Sequence, residues 1–93
     1  MSKILVIDDE KSIRNTLKDI LEYEKFEVAL AENGNEGLEM FGNDSFDVVL
    51  CDIKMPGKDG IQVLREMRAR DFSVQFIMMT GYSTWELTMK SLE

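Results

Sequence analysis

The stretch VVLCDIKMPGKDG, residues 48–60, decides how the chain folds. It opens on a continuous apolar run, Val48-Val49-Leu50-Cys51, meets a carboxylate at Asp52, and then breaks into Lys54-Met55-Pro56-Gly57. An unbroken apolar run of this length marks a strand covered on both faces, as parallel sheets require; a strand with one wet face would alternate. A carboxylate at the edge of such a core is costly unless something binds it, so Asp52 needs a partner.

Working outward, Ile4-Leu5-Val6-Ile7 and Phe76-Ile77-Met78-Met79 are runs of the same kind. Phe26, Val28 and Leu30 instead alternate with Glu27, Ala29 and Ala31, which predicts an edge strand with less covering. Helical patterns lie between the strands. Ile13, Leu17, Ile20 and Leu21 share one face. Glu36 to Phe41 reads as a short helix closed by Gly42, after a turn at Asn33-Gly34. Asp59 with Gln62 resembles a capping box, opening a helix whose expected core face is Ile61, Leu64 and Met67. Ser83 with Glu86 repeats that spacing, and Trp85, Met89 and Leu92 then supply a stripe for a fourth helix. Strands alternating with helices predict one α/β domain over residues 1–93 with a mostly parallel sheet.

The three buried runs end alike: the first in Asp8-Asp9, the second in Asp52, the third in Thr80. Open parallel sheets bind ligands beyond the carboxyl ends of their strands, and these residues converge there if strands 1, 3 and 4 are neighbours. Taken singly, Asp9 reads as a helix cap, Asp52 as a turn residue and Thr80 as a strand-end hydroxyl. Their joint placement favours a site. Two carboxylates about 4 Å apart repel by about 4 kcal/mol at an effective dielectric of 20, so protons or a cation must intervene. Carboxylates with a backbone carbonyl and water suit Mg²⁺ or Mn²⁺. The turn through Pro56 and Gly57 leaves carbonyls near Lys54 free to face the site. Such a site suits phosphoryl chemistry, with Asp52 attacking and Thr80 hydrogen-bonding the transferred group. No glycine-rich phosphate loop is present and the chain has no histidine, so the chemistry expected is that of an acceptor.

Composition narrows the class. The 11 basic and 18 acidic residues leave a net charge of −7, and the basic ones form no stripe, so direct nucleic-acid binding is not expected. No apolar stretch reaches membrane-spanning length and the first residues lack the layout of a signal peptide, so a cytoplasmic setting is expected. Cys51 reads as a buried structural thiol and the seven methionines as core filler.

From ILVIDDE through VVLCDIKMPGKDG to FIMMTGY the chain resembles the CheY-like receiver domain of two-component response regulators. The resemblance implies a flavodoxin-like, doubly wound sheet of order 2-1-3-4 and a regulatory phosphoacceptor rather than an enzyme. It implies that Asp52 accepts a phosphoryl group from a sensor histidine kinase to switch an effector domain or protein. Asp8, Asp9 and Asp52 would hold Mg²⁺ with the backbone carbonyl of Lys54, and Thr80 would follow the phosphoryl group. MTGYSTWEL, residues 79–87, is further similar to NtrC-type activators.

In receivers a fifth strand carrying a lysine, then a switch aromatic and a fifth helix, come next. This sequence reaches Glu93 before them, within the fourth helix, and neither Lys58 nor Lys90 matches the lysine's position. Lys54 and Lys58 are expected to keep solvated side chains, and Tyr82 and Trp85 belong to a partner surface or to the core rim. An exposed strand-4 edge or uncovered sheet face is expected to drive self-association. Two rival functions stay open: a receiver-like scaffold without phosphorylation, and a Mg²⁺-dependent aspartyl-phosphate phosphatase. The second is disfavoured because Asp52-Ile53-Lys54 lacks the second aspartate of an Asp-x-Asp motif.

Overall fold

Continuous apolar strands need cover on both sides, and the chain supplies it with helices on either face of one sheet. The computed structural model describes residues 2–71 and 73–79. Its elements are β1 (Lys3–Ile7), α1 (Lys11–Tyr23), β2 (Glu27–Ala31), α2 (Gly34–Asn43), β3 (Val48–Asp52), α3 (Gly60–Arg70) and β4 (Gln75–Met79). The four described strands are parallel, in the order β2-β1-β3-β4. This is the doubly wound order that the resemblance implies. Thr80 and the residues expected to form the fourth helix, Ser83, Trp85, Met89 and Leu92 among them, lie outside the described residues, as do Tyr82 and Lys90.

Period-two alternation sorts the strand side chains between two cores. Leu5, Ile7, Val49 and Cys51 join Leu38 of α2 and Val63 and Met67 of α3 on one face. Ile4, Val6, Val48 and Leu50 join Leu17 and Leu21 of α1 on the other. Because β1 and β3 are central and doubly covered, both sets of side chains must be apolar, which is why their sequences do not alternate. β2 lies at the edge of the sheet, as its alternating pattern predicts.

Two local expectations are corrected. α2 begins earlier and ends later than Glu36 to Phe41. The Asn33 side chain accepts a hydrogen bond from the Glu36 amide at 2.8 Å, making Asn33 a cap, and Gly42 lies inside the helix. α3 does open at Asp59, whose carboxylate accepts from the Gln62 amide at 2.9 Å, but its buried face is Gly60, Val63 and Met67. Ile61 is exposed and Leu64 only partly buried. Gly60 sets that rotation, because its missing side chain lets the start of α3 lie directly against the end of β3. Among the described residues no helix is long and apolar enough to cross a membrane.

Candidate functional site

Strand register brings the acidic residues together. Ile7 of β1 stands opposite Ala31 of β2 and Cys51 of β3, and Asp52 stands opposite Met79 of β4, so the carboxyl ends of the strands are level. Asp8, Asp9 and Asp52 each place a carboxylate oxygen so that all three lie within 4.8 Å of one another. The cluster expected from the sequence therefore assembles from two adjacent central strands.

Asp8 is the buried member, 5% exposed. Its amide donates to the Ala31 carbonyl at 3.1 Å, and its Oδ1 accepts from the Glu10 amide at 2.9 Å. Burial pushes its carboxyl up to about 6; the Glu10 amide opposes this, while the charges of Asp52, Asp9 and Glu10 add to it. Asp52 is partly buried, and burial, then the charges of Asp9 and Glu10, raise its pKa against the pull of the Lys54 and Ile53 amides. The Lys54 amide donates to Asp52 Oδ1 at 3.3 Å.

The loop after Asp52 is anchored at both ends. The Ile53 amide donates to the Met79 carbonyl at 3.0 Å, and the Ile53 carbonyl accepts from the Gly60 amide at 2.8 Å. Between these anchors Met55 is buried and Gly57 takes a φ of +77°, a turn that glycine adopts without a steric cost. Lys58 differs from the solvated side chain expected: its ammonium pairs with Glu66 of α3 at 2.7 Å. Asp59 and Gln62 begin α3 one turn earlier than Glu66, which brings the pair within reach.

The donor set fits a hard divalent cation. Oxygens around Mg²⁺ at 2.0–2.1 Å lie roughly 3 to 4 Å apart, so small side-chain rotations would suffice. Burial and the neighbouring charges raise the Asp8 carboxyl, so a cation at this site competes with a proton that the folded chain takes up more readily as the pH falls. The Lys54 side chain is exposed, and what the structure describes near Asp52 is the Lys54 amide.

Sequence reasoning passed over Arg14. Its Nη1 donates to the Asp8 carbonyl at 2.8 Å and its Nη2 lies 3.9 Å from Glu32. The available signal was geometric: a long side chain on the first turn of a helix leans back toward the helix N-terminus, here toward the Asp8-Asp9 loop.

A cluster of carboxylates beyond the central strands of a doubly wound sheet defines an α/β domain with an acidic site where such sheets bind ligands. The response regulator receiver domain family matches residues 4–93, and the chain belongs to it. It is 38% identical to regulatory protein AtoC of Escherichia coli over 99% of its own length, though it spans only 20% of AtoC. The similarity to AtoC fits the NtrC-type resemblance. It is 35% identical to sporulation initiation phosphotransferase F of Bacillus subtilis, over 98% of the chain and 73% of that protein. Among solved structures, response regulator TrrA of Thermotoga maritima in complex with Mg²⁺-BeF superposes with a TM-score of 0.85 at 40% identity, over 99% of this chain and 80% of that one. A chain of the crystal structure of histidine kinase ThkA in complex with TrrA matches with a TM-score of 0.80 at 30% identity, over 99% of this chain and 98% of that one.

Proposed function

We propose that the chain is the phosphoacceptor of a two-component pathway, taking a phosphoryl group on Asp52 from a phosphohistidine of a sensor histidine kinase. The observation that carries this reading is the convergence of Asp8, Asp9 and Asp52 beyond β1 and β3. In the transfer, a carboxylate oxygen of Asp52 forms a bond to phosphorus while the phosphorus–nitrogen bond to the kinase imidazole breaks, and the imidazole leaves with the electron pair and takes up a proton. Asp8 and Asp9, with Asp52 and the backbone carbonyl of Lys54, would hold Mg²⁺ or Mn²⁺, which when bound neutralises charge on the transferring phosphoryl oxygens.

The chain's own groups define the rest. The Lys54 amide engages Asp52 Oδ1, leaving the other oxygen to attack. The Ile53 to Met79 and Gly60 to Ile53 backbone hydrogen bonds fix the residue after Asp52 between β4 and the start of α3, which limits how far the strand end that carries the carboxylate can move. Thr80, which follows Met79 of β4, would donate its hydroxyl to the transferred group. The downstream partner would be an effector domain or protein, and the setting the cytoplasm. TrrA has been solved with a histidine kinase and with Mg²⁺-BeF, and both support this reading.

The test is intact mass after incubation with Mg²⁺ and acetyl phosphate, beside Asp52→Asn and a sample containing EDTA. Gain of one phosphoryl group that needs both Asp52 and the metal is expected. No gain by a folded chain would overturn the reading and leave a receiver-like scaffold.

A further inference from the structure

We infer that Arg14 is a positioning residue for the acidic site, holding the Asp8–Asp9 peptide at the angle that turns both carboxylates toward Asp52. The inference rests on the reading of Asp8, Asp9 and Asp52 as cation ligands.

The chain leaves the sheet at Asp8. Its amide is bonded to the Ala31 carbonyl of β2, but its carbonyl belongs to the peptide that joins the two acidic residues and lies past the end of the β1–β2 pairing. That carbonyl accepts the Arg14 guanidinium at 2.8 Å. A peptide flanked by two rotatable bonds can turn like a crank, and turning it swings the directions of Asp8 and Asp9 relative to each other. The Glu10 amide fixes only the Asp8 carboxylate, through Oδ1. Arg14 fixes the peptide itself. The guanidinium is well suited to this, since its side chain is 14% exposed and its other nitrogen faces Glu32 of the β2–α2 loop at 3.9 Å. A planar, pre-organised guanidinium loses less freedom per hydrogen bond than a lysine ammonium would. α1 also has no side-chain cap of its own at Glu10, so the first turn leans on these contacts for its orientation.

The sign of the effect separates positioning from charge. Arg14 is a cation near a cation site, so if its field were what mattered, removing it would tighten Mg²⁺ binding. If it positions ligands, removing it weakens binding, by about tenfold if it acts like other groups that orient metal ligands.

The experiment is a calorimetric Mg²⁺ titration of the chain, of Arg14→Met, Arg14→Lys, Glu32→Gln and Asp52→Asn, each checked for cooperative melting. The expected result is weaker binding by Arg14→Met, a smaller loss in Arg14→Lys, which keeps one donor, and near wild-type binding by Glu32→Gln. Unchanged or tighter binding by folded Arg14→Met overturns the inference. Should that variant fail to fold, wild-type affinity in Arg14→Lys overturns it instead. If Asp52→Asn loses Mg²⁺ while the Arg14 variants keep it, the positioning role alone fails. If the unaltered chain binds no Mg²⁺, the metal reading fails and takes this inference with it.

Discussion

Gly60 lies so close beneath Asp52 that a Cβ at position 60 would sit 2.6 Å from the Asp52 carbonyl oxygen and 2.9 Å from the Ile53 Cα. Both atoms are backbone, at the end of a central strand, and cannot step aside as a flexible side chain would. Gly60→Ala must therefore push the start of α3 away from β3 or tilt the Asp52 loop. The expected cost is about 1 to 3 kcal/mol, the range for overpacking a fitted interior. It should be read by urea denaturation, and Mg²⁺ affinity should fall in the same variant because the tilted strand end carries a ligand. Wild-type stability in Gly60→Ala would show that the contact is looser in solution.

The same glycine explains what could and could not be read from sequence. Continuous apolar runs identified β1, β3 and β4, and their polar ends placed Asp8, Asp9 and Asp52 together, because strand periodicity and strand-end position are local properties of the chain. The face of α3 was not legible. Ile61 and Leu64 fit an apolar stripe as well as Val63 and Met67 do, and only the approach of Gly60 to β3 selects between them. Arg14 escaped notice for a related reason: its partner is a backbone carbonyl, which leaves no trace in side-chain identity. Gly42 looked like a helix end because glycine there satisfies a stop signal, yet the Asn33 cap sets the start of α2 and the helix runs on to Asn43.

Asp8 should make the metal-free fold more stable in mild acid. Its folded pKa of about 6 stands above the ordinary 3.8, so the folded state binds a proton more readily than the unfolded one. Its contribution to stability therefore falls as pH rises from about 4 to about 6, and at pH 7 the folded chain carries the full cost of the buried charge. That cost is on the order of 2 to 3 kcal/mol. Asp44 and Asp71, whose pKa values are lowered by the Lys3 ammonium and by Ser73, slope the other way, so the comparison is with Asp8→Asn, which keeps both. In EDTA, thermal melts should show Asp8→Asn gaining on the unaltered chain as pH rises from 4 to 7. Parallel pH profiles for the two proteins would contradict the assignment.

Cys51 should resist thiol reagents in the folded state. It is fully buried, its Sγ lies 3.3 Å from the Asp52 carbonyl, and burial followed by the charges of Asp52, Asp8 and Asp59 pushes its thiol up to about 12. The thiolate is the reactive form, so labelling at pH 8 should wait for opening of the sheet and follow the unfolding equilibrium as urea is added. Rapid labelling without denaturant would mean that β3 is open at its carboxyl end. Mg²⁺ should slow the labelling further if it closes the adjacent acidic site.

The Lys58–Glu66 pair should matter little to stability despite its 2.7 Å contact. Both side chains keep substantial exposure, 31% and 41%, and ion pairs in that setting contribute about 0 to 1 kcal/mol once screening and side-chain ordering are set against the attraction. Lys58→Met should therefore change the urea midpoint only slightly and leave Mg²⁺ affinity within twofold or so by the same reasoning, since the ammonium is engaged with α3 rather than with Asp52.

Asp52→Asn should reverse its rank with metal. Without Mg²⁺ the unaltered chain holds three crowded carboxylates, and the neutral amide relieves the repulsion that Asp9 and Glu10 exert on Asp52, so the variant should melt at the higher temperature in EDTA. At Mg²⁺ about a hundredfold above its dissociation constant, binding to the folded state alone adds about 2.7 kcal/mol to the unaltered chain. The variant, lacking one ligand, should gain much less, and the two melting temperatures should cross as Mg²⁺ is raised. Differential scanning calorimetry of both proteins across a Mg²⁺ series reads this directly. Curves that stay parallel as Mg²⁺ is raised would show that Asp52 is not a ligand of the cation, and the acidic cluster would then not be a site that needs it.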